Sequence, residues 1–137
     1  MLKTNILNKL RSSGLRPTKQ RVEIAKFLFN REKTFHFTVE SLDKLLEKKI
    51  NAKFALATIY NTVHAFKKAG HLNEVRLKGK NNTTYFDTNV SNHHHFYDSE
   101  TSELIDINEN EIRFEKIPKA PNGKKIKNLE VIINLKN

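Results

Sequence analysis

Three histidines stand together in this sequence, as His93-His94-His95. On an extended strand alternate side chains share a face, so His93 and His95 can converge on one ion while His94 points away. Asp87 lies just upstream, Asp106 falls on the next stretch that reads as a strand, and His36 precedes the third predicted helix. Three imidazoles and two carboxylates make a borderline-to-hard donor set, suited to iron, manganese or zinc and poor for copper(I). Other readings of the same residues stand beside this one: a triple histidine can be a solvated loop, and His36, between Phe35 and Phe37, can be an ordinary packed histidine. His64 and His71 read as structural or solvent-facing. The chain has no cysteine, which excludes disulfides, thiolate nucleophiles, iron–sulfur clusters and cysteine-ligated zinc or haem. Any metal must therefore use histidine and oxygen.

Catalysis is the competing use of such a cluster. The sequence has no phosphate-cradling glycine loop, no Gly-x-Ser-x-Gly and no His-Glu-x-x-His. His93-x-His95-x-x-Asp98 matches no hydrolase spacing, and only 4 glycines are available for strained active-site turns. With 137 residues and 16.0 kDa, there is room for one compact domain or two small ones. The expectation is a binding protein, not an enzyme.

Lys and Arg number 25 against 15 Asp and Glu, a formal charge of +10. Up to Asn82 there are 18 basic and 6 acidic residues; after it there are 7 and 9. A bias toward lysine-rich composition would not spare residues 83–137, so the asymmetry points to a first part that meets a polyanion, such as double-stranded DNA. No stretch approaches the ~20 apolar residues of a membrane span. Nor does the start show an apolar run before a small-residue cleavage site, so a cytoplasmic protein with no membrane partner is expected.

The elements that would position these groups follow from periodicity. Ile6, Leu7 and Leu10 mark a helix over residues 4–13 that stops at Gly14. After Pro17, Thr18 can cap a second helix with Val22, Ala25, Leu28 and Phe29 on one face. Thr38 can cap a third, with Val39, Leu42, Leu45 and Leu46 as its stripe and Lys48-Lys49 near its C-terminal dipole. A fourth helix runs over 57–69, with Ile59, Val63 and Phe66 inward and Gly70 closing it. Residues 71–77 and 83–88 flank a basic turn and read as a hairpin. Helices followed by a hairpin with a basic tip are the order of a winged helix-turn-helix module. Beyond it, residues 93–98 and 103–107 suggest a second hairpin and 109–117 a short helix ended by Pro118 and Pro121. Leu129, Val131, Ile133 and Leu135 mark a last strand with one apolar face. The predicted fold class is α+β, a winged helix-turn-helix domain over 1–88 followed by a small α/β dimerisation domain over 89–137. So small a second domain buries little core alone, which favours a homodimer.

The motifs Gly14-Leu15-Arg16-Pro17-Thr18-Lys19-Gln20-Arg21, Leu56-Ala57-Thr58-Ile59-Tyr60-Asn61-Thr62-Val63, Tyr85-Phe86-Asp87 and Asn92-His93-His94-His95 resemble the ferric uptake regulator family, in the right order and from about residue 10 onward. The triple histidine, the lack of cysteine and the ending from Ile117-Pro118 to Leu135 look most like its iron response regulator branch, whose members sense haem. The resemblance implies a dimeric metal- or haem-responsive regulator of iron and haem homeostasis that binds an A/T-rich inverted repeat when metal-loaded and is released by haem. It places the regulatory metal on His36, Asp87, His93, His95 and Asp106, and haem on His93, His94 and His95. A peroxide- or manganese-sensing repressor would use the same five ligands, and a plain basic nucleic-acid-binding module would sense nothing.

For DNA, Tyr60 and Asn61 are the candidates for base edges, with a tyrosine ring suited to thymine methyls and an asparagine to adenine. Tyr60 packing in the core is the other possibility. Thr58 suits phosphate or sugar, and Arg16 resembles the family's minor-groove contact, favoured by a narrow A/T-rich groove. Lys19, Arg21, Lys78 and Lys80 would meet phosphates. The departures from the family matter too. The Cys-x-x-Cys pair of a structural zinc would fall at Asp98 and Thr101, so that site is absent. Asn92 and Asn128 stand where many relatives have histidines of another metal site. The Cys-Pro haem motif of some branch members is also missing, so a haem response would rest on histidine.

Overall fold

The structure, a computed structural model, describes residues 5–77 and 83–137. The chain divides into two units, one ending at Val90 and the other beginning at Ser91.

The first unit opens with α1 (Ile6–Ser12), where the Asn5 side chain accepts the Asn8 N–H. The helix stops because Gly14 takes φ +82, a conformation that favours glycine, while the Leu15 N–H returns to the Leu10 carbonyl. α2 (Lys19–Phe29) starts at Thr18, whose hydroxyl accepts the Arg21 N–H, and buries Ile24, Ala25 and Leu28. The expected stripe is thus shifted: Ile24 joins the core, and Val22 and Phe29 are only partly buried against it. A short strand the sequence did not suggest follows, β1 (His36–Phe37). α3 (Val39–Ile50) begins with reciprocal bonds between Thr38 and Ser41 and buries Val39, Leu42 and Leu46. α4 (Leu56–Lys68) buries Ile59, Thr62, Val63 and Phe66. β2 (Asn73–Arg76) and β3 (Thr84–Asp87) are antiparallel, and β1 adds to the other edge of β3, giving the order β1-β3-β2. Lys78 and Lys80 lie outside the described residues. Leu28, Leu42, Leu46, Ile59, Val63, Phe66 and Phe86 form one core under the sheet and helices, each contributing about 1.5–3 kcal/mol by leaving water.

The second unit is a three-stranded sheet in the order β5-β4-β6. β4 (His93–Asp98) pairs antiparallel with β5 (Glu103–Asn108) and parallel with β6 (Ile132–Leu135). The parallel pairing requires residues 109–131 to cross back over. The helix expected over 109–117 is not there. A single 3₁₀ turn, Glu109–Glu111, is followed by extended chain from Ile112 at φ −121, ψ 122. Isoleucine 112 is β-branched, and Pro118 pushes its predecessor out of helical geometry, so neither end of the segment supports a helix. Regular pairing in the last strand begins at Ile132, although the Val131 carbonyl already accepts the His95 N–H at 3.1 Å. Ile105, Ile133 and Leu135 remain 37–40% exposed on this sheet.

Candidate functional site

In the first unit the pairing of β1 with β3 sets His36 opposite Asp87. His36 Nε2 lies 3.0 Å from Asp87 Oδ2, and the Asn89 N–H donates to Asp87 Oδ1 at 2.8 Å. Asp87 is fully buried. A carboxylate taken out of water is costly unless donors or a cation meet it, so this is a site prepared for positive charge.

In the second unit His93 and His95 share one face of β4, their rings 4.5 Å apart. The β4–β5 register sets His95 opposite Asp106, whose Oδ1 lies 3.1 Å from His93 Nε2 and 3.3 Å from His95 Nε2. His93 Nδ1 is 2.7 Å from the Ser91 carbonyl. A carbonyl only accepts, so Nδ1 carries a proton, which leaves Nε2, on the Asp106 side, as the ring atom that would face a metal ion. That is the tautomer and backing a metal-binding histidine needs. Nitrogen and carboxylate donors without sulfur fit a divalent ion of the iron, manganese or zinc kind. Glu130, whose carboxylate lies 3.9 Å from His95 Nδ1, was not among the expected residues. Its alternation with Leu129 and Val131 was the available signal.

His94 is turned the other way. Its Nδ1 accepts the Val131 N–H at 2.9 Å, and its ring meets Phe114 edge-on at 5.9 Å. It lines a cavity of about 400 Å³ with Asn92, Glu109, Ile112, Phe114 and Leu129. The three histidines expected to take haem together are therefore on two faces of one strand.

The residues expected to meet DNA are drawn together in part. Arg16, Arg21, Thr58 and Asn61 line one open cleft of about 310 Å³, with Thr18, Gln20 and Thr62 completing it. The Arg21 guanidinium donates to the Arg16 carbonyl at 3.2 Å, tying the loop after Gly14 to α2. Lys19 is exposed on the first turn of α2. Tyr60 is 52% exposed, so it is not a core residue, and it stands outside that cleft on the face of α4 that carries His64. Gln20 and Thr62 carry no signal in their own types, and Thr18 signals only a helix cap.

The model of the ferric uptake regulator family matches residues 12–134. The chain belongs to that family. Among its relatives, the peroxide-responsive repressor PerR of Staphylococcus epidermidis is 31% identical over 98 residues, covering 72% of this chain and 62% of that one. PerR of Staphylococcus aureus is 30% identical over the same length. The match thus spans about three-fifths of these curated relatives. In solved structures, the ferric uptake regulator from Pseudomonas aeruginosa with manganese superposes with a TM-score of 0.71 at 25% identity, covering 98% of both chains. The regulator of Vibrio cholerae gives the same TM-score at 22% identity over 96% of this chain and 99% of that one, a likeness of fold. Among the described residues of this family member, no helix is long and apolar enough to cross a membrane.

Proposed function

We propose that this ferric uptake regulator family member is a metal-responsive transcription regulator of the cytoplasm, not an enzyme, that binds an A/T-rich inverted repeat as a homodimer. The observation that carries the reading is the preparation of two half-sites. His36 and Asp87 form one, and His93, His95 and Asp106 the other, each with an imidazole Nε2 about 3 Å from a carboxylate oxygen. Both half-sites serve one divalent ion, which when bound supplies the positive charge that lets these carboxylates share a centre. Asp87 and Asp106 set the charge of the site, and the Ser91 carbonyl holds His93 in the binding tautomer.

On DNA, Arg16 enters a narrow A/T-rich minor groove, while Lys19 and Arg21 meet phosphates. Thr58 contacts phosphate or sugar, Asn61 an adenine edge and Tyr60 a thymine methyl. Lys78 and Lys80 are assigned to phosphates on their sequence position. The exposed apolar residues Ile105, Ile133 and Leu135 of the second unit support pairing with a second copy.

The effector that releases DNA acts on the imidazoles of these half-sites. Haem, the signal the iron response regulator resemblance suggests, would take His93 or His95, since His94 faces away and accepts from Val131. The similarity to peroxide-responsive repressors supports a second reading, in which oxidation of His36 or His93 ends binding. Fluorescence anisotropy on an A/T-rich inverted repeat tests all of this. Affinity should rise with manganese(II) and fall with chelator. Release during a hemin titration, as a histidine-type haem spectrum grows in, supports haem. Release of the iron(II)-loaded protein by peroxide, with one oxygen atom gained on the peptide of His36 or His93, supports the peroxide reading. Equal binding in chelator, metal, hemin and peroxide overturns regulation altogether.

A further inference from the structure

The DNA-binding unit carries a series of ring contacts that begins behind the His36–Asp87 pair and ends at Tyr60. β1 and β3 pair His36 with Asp87 and Phe37 with Phe86. Successive strand residues point to opposite faces, so the ligand pair occupies one face of this ribbon and the two phenylalanines the other. Phe37 and Phe86 are buried and stack at 5.8 Å with 28° between their planes. Phe86 meets His64 edge-on at 5.6 Å and 81°. His64 in turn lies 4.2 Å from the Tyr60 ring, one helical turn away on α4. Among the described residues His64 is the aromatic neighbour of Tyr60.

Beside these rings is an open cavity of about 600 Å³, lined by Val39, Glu40, Glu74 and Phe86 together with Tyr60 and His64. A half-exposed phenol ring at the rim of such a space has two places to go, outward or into the cavity. His64 packs against the ring and also against the buried Phe86. Its own position is set by the edge of Phe86, the residue next to Asp87. Any change at the His36–Asp87 pair acts on the β1–β3 ribbon, and a packed route from that ribbon to the exposed face of α4 runs through Phe86, His64 and Tyr60.

We propose that His64 is a positioning residue that holds Tyr60 out for base contact and passes the state of the His36–Asp87 pair to it. The proposal rests on the function proposed above, and its test has an arm without DNA so that the two can fail separately. Fluorine-labelled tyrosine is incorporated, the Tyr60 signal is assigned with Tyr60→Phe, and zinc(II), which is diamagnetic, is titrated. The Tyr60 signal should shift as zinc binds, His64→Ala should abolish that shift, and His64→Phe, which keeps a flat ring in place, should restore it. On the inverted repeat, replacing the contacted thymine by uracil removes the methyl and should weaken the wild-type protein about tenfold, the scale of one base contact. His64→Ala should bind both duplexes alike, while His64→Phe should still discriminate. If His64→Ala keeps the zinc-induced shift and the methyl discrimination, or if His64→Phe loses them, the positioning role is refuted. A wild-type Tyr60 signal that ignores bound zinc refutes the coupling. Should His64→Ala fail to fold, the His64→Phe results decide alone. If the wild-type protein shows no metal-dependent DNA binding, the function proposed above fails, and the zinc arm still decides the role of His64.

Discussion

Whether one ion is shared by both half-sites can be decided by removing one ligand from each. At a free metal concentration near 100 times the dissociation constant, a bound ion stabilises the folded protein by about 2.7 kcal/mol. Loss of a partner behind a metal ligand weakens binding by about 10–100-fold, so loss of a ligand itself is placed at about 100-fold. The stabilisation remaining at the same metal concentration is then about 0.4 kcal/mol, a difference of roughly 2.3 kcal/mol. For a chain of this size that corresponds to roughly 5–10 °C in Tm. His36→Ala acts from β1 of the first unit and His93→Ala from β4 of the second. Each variant is melted with zinc(II) and with chelator, followed by circular dichroism, and the metal-induced gain in Tm is compared within each variant. Taking the difference matters, because His36→Ala also leaves the buried Asp87 carboxylate without its 3.0 Å partner, which lowers Tm with or without metal. A shared ion requires the gain to shrink by a similar amount in both variants. If His93→Ala loses the gain and His36→Ala keeps it, the ion belongs to the second unit alone and the joint site is refuted.

Other predictions concern DNA, pH and assembly. Lys19→Ala should lower the slope of log affinity against log salt by about 0.9, one phosphate contact, and weaken binding equally on all sequences; a change in sequence preference in competition assays would refute a phosphate role. His71 packs on Phe29 and lies 2.8 Å from Ser13 Oγ, and burial, aided by the nearby Lys9 charge, holds its pKa below the usual 6.5. The fold thus favours the neutral ring while the unfolded chain takes up the proton more readily, so stability is complete above pH 6.5 and is lost as pH falls from there toward the lower folded value. His71→Gln should flatten that part of the stability profile, and identical profiles for variant and wild type in urea titrations would refute it. Ile133→Lys, on the exposed face of β6, should shift sedimentation toward monomer and reduce affinity for the two-half-site repeat more than for a single half-site; an unchanged sedimentation coefficient would remove Ile133 from the interface.

What was legible in the sequence divides by range. Caps and stops are local, and Thr18, Thr38, Gly14 and Gly70 mark helix ends by the chemistry of their own side chains or backbones. The face shared by His93 and His95 follows from strand alternation alone. Where tertiary pairing decides, the sequence is silent. β1 is two residues long, too short for any period, and exists because Phe37 and His36 find partners on β3, fifty residues onward. Residues 109–117 space Ile112 and Ile117 as a short helix would, yet Ile112 is β-branched, Pro118 holds Ile117 out of helical geometry, and the parallel pairing of β6 with β4 asks the chain to cross the sheet, so extended backbone prevails there. Ile24 enters the core in place of a full Val22–Phe29 stripe because packing against α1 and α4 sets which face of α2 turns inward, and Glu130 reaches His95 only through the same crossover. His64 shows the limit most sharply. Its type and its spacing from Tyr60 are plain in the sequence, but its role depends on Phe86, which arrives from a strand that the sequence places in the wing. A residue acting through two neighbours from different elements carries no mark in its own stretch of chain, and its function becomes readable only when those elements have been packed.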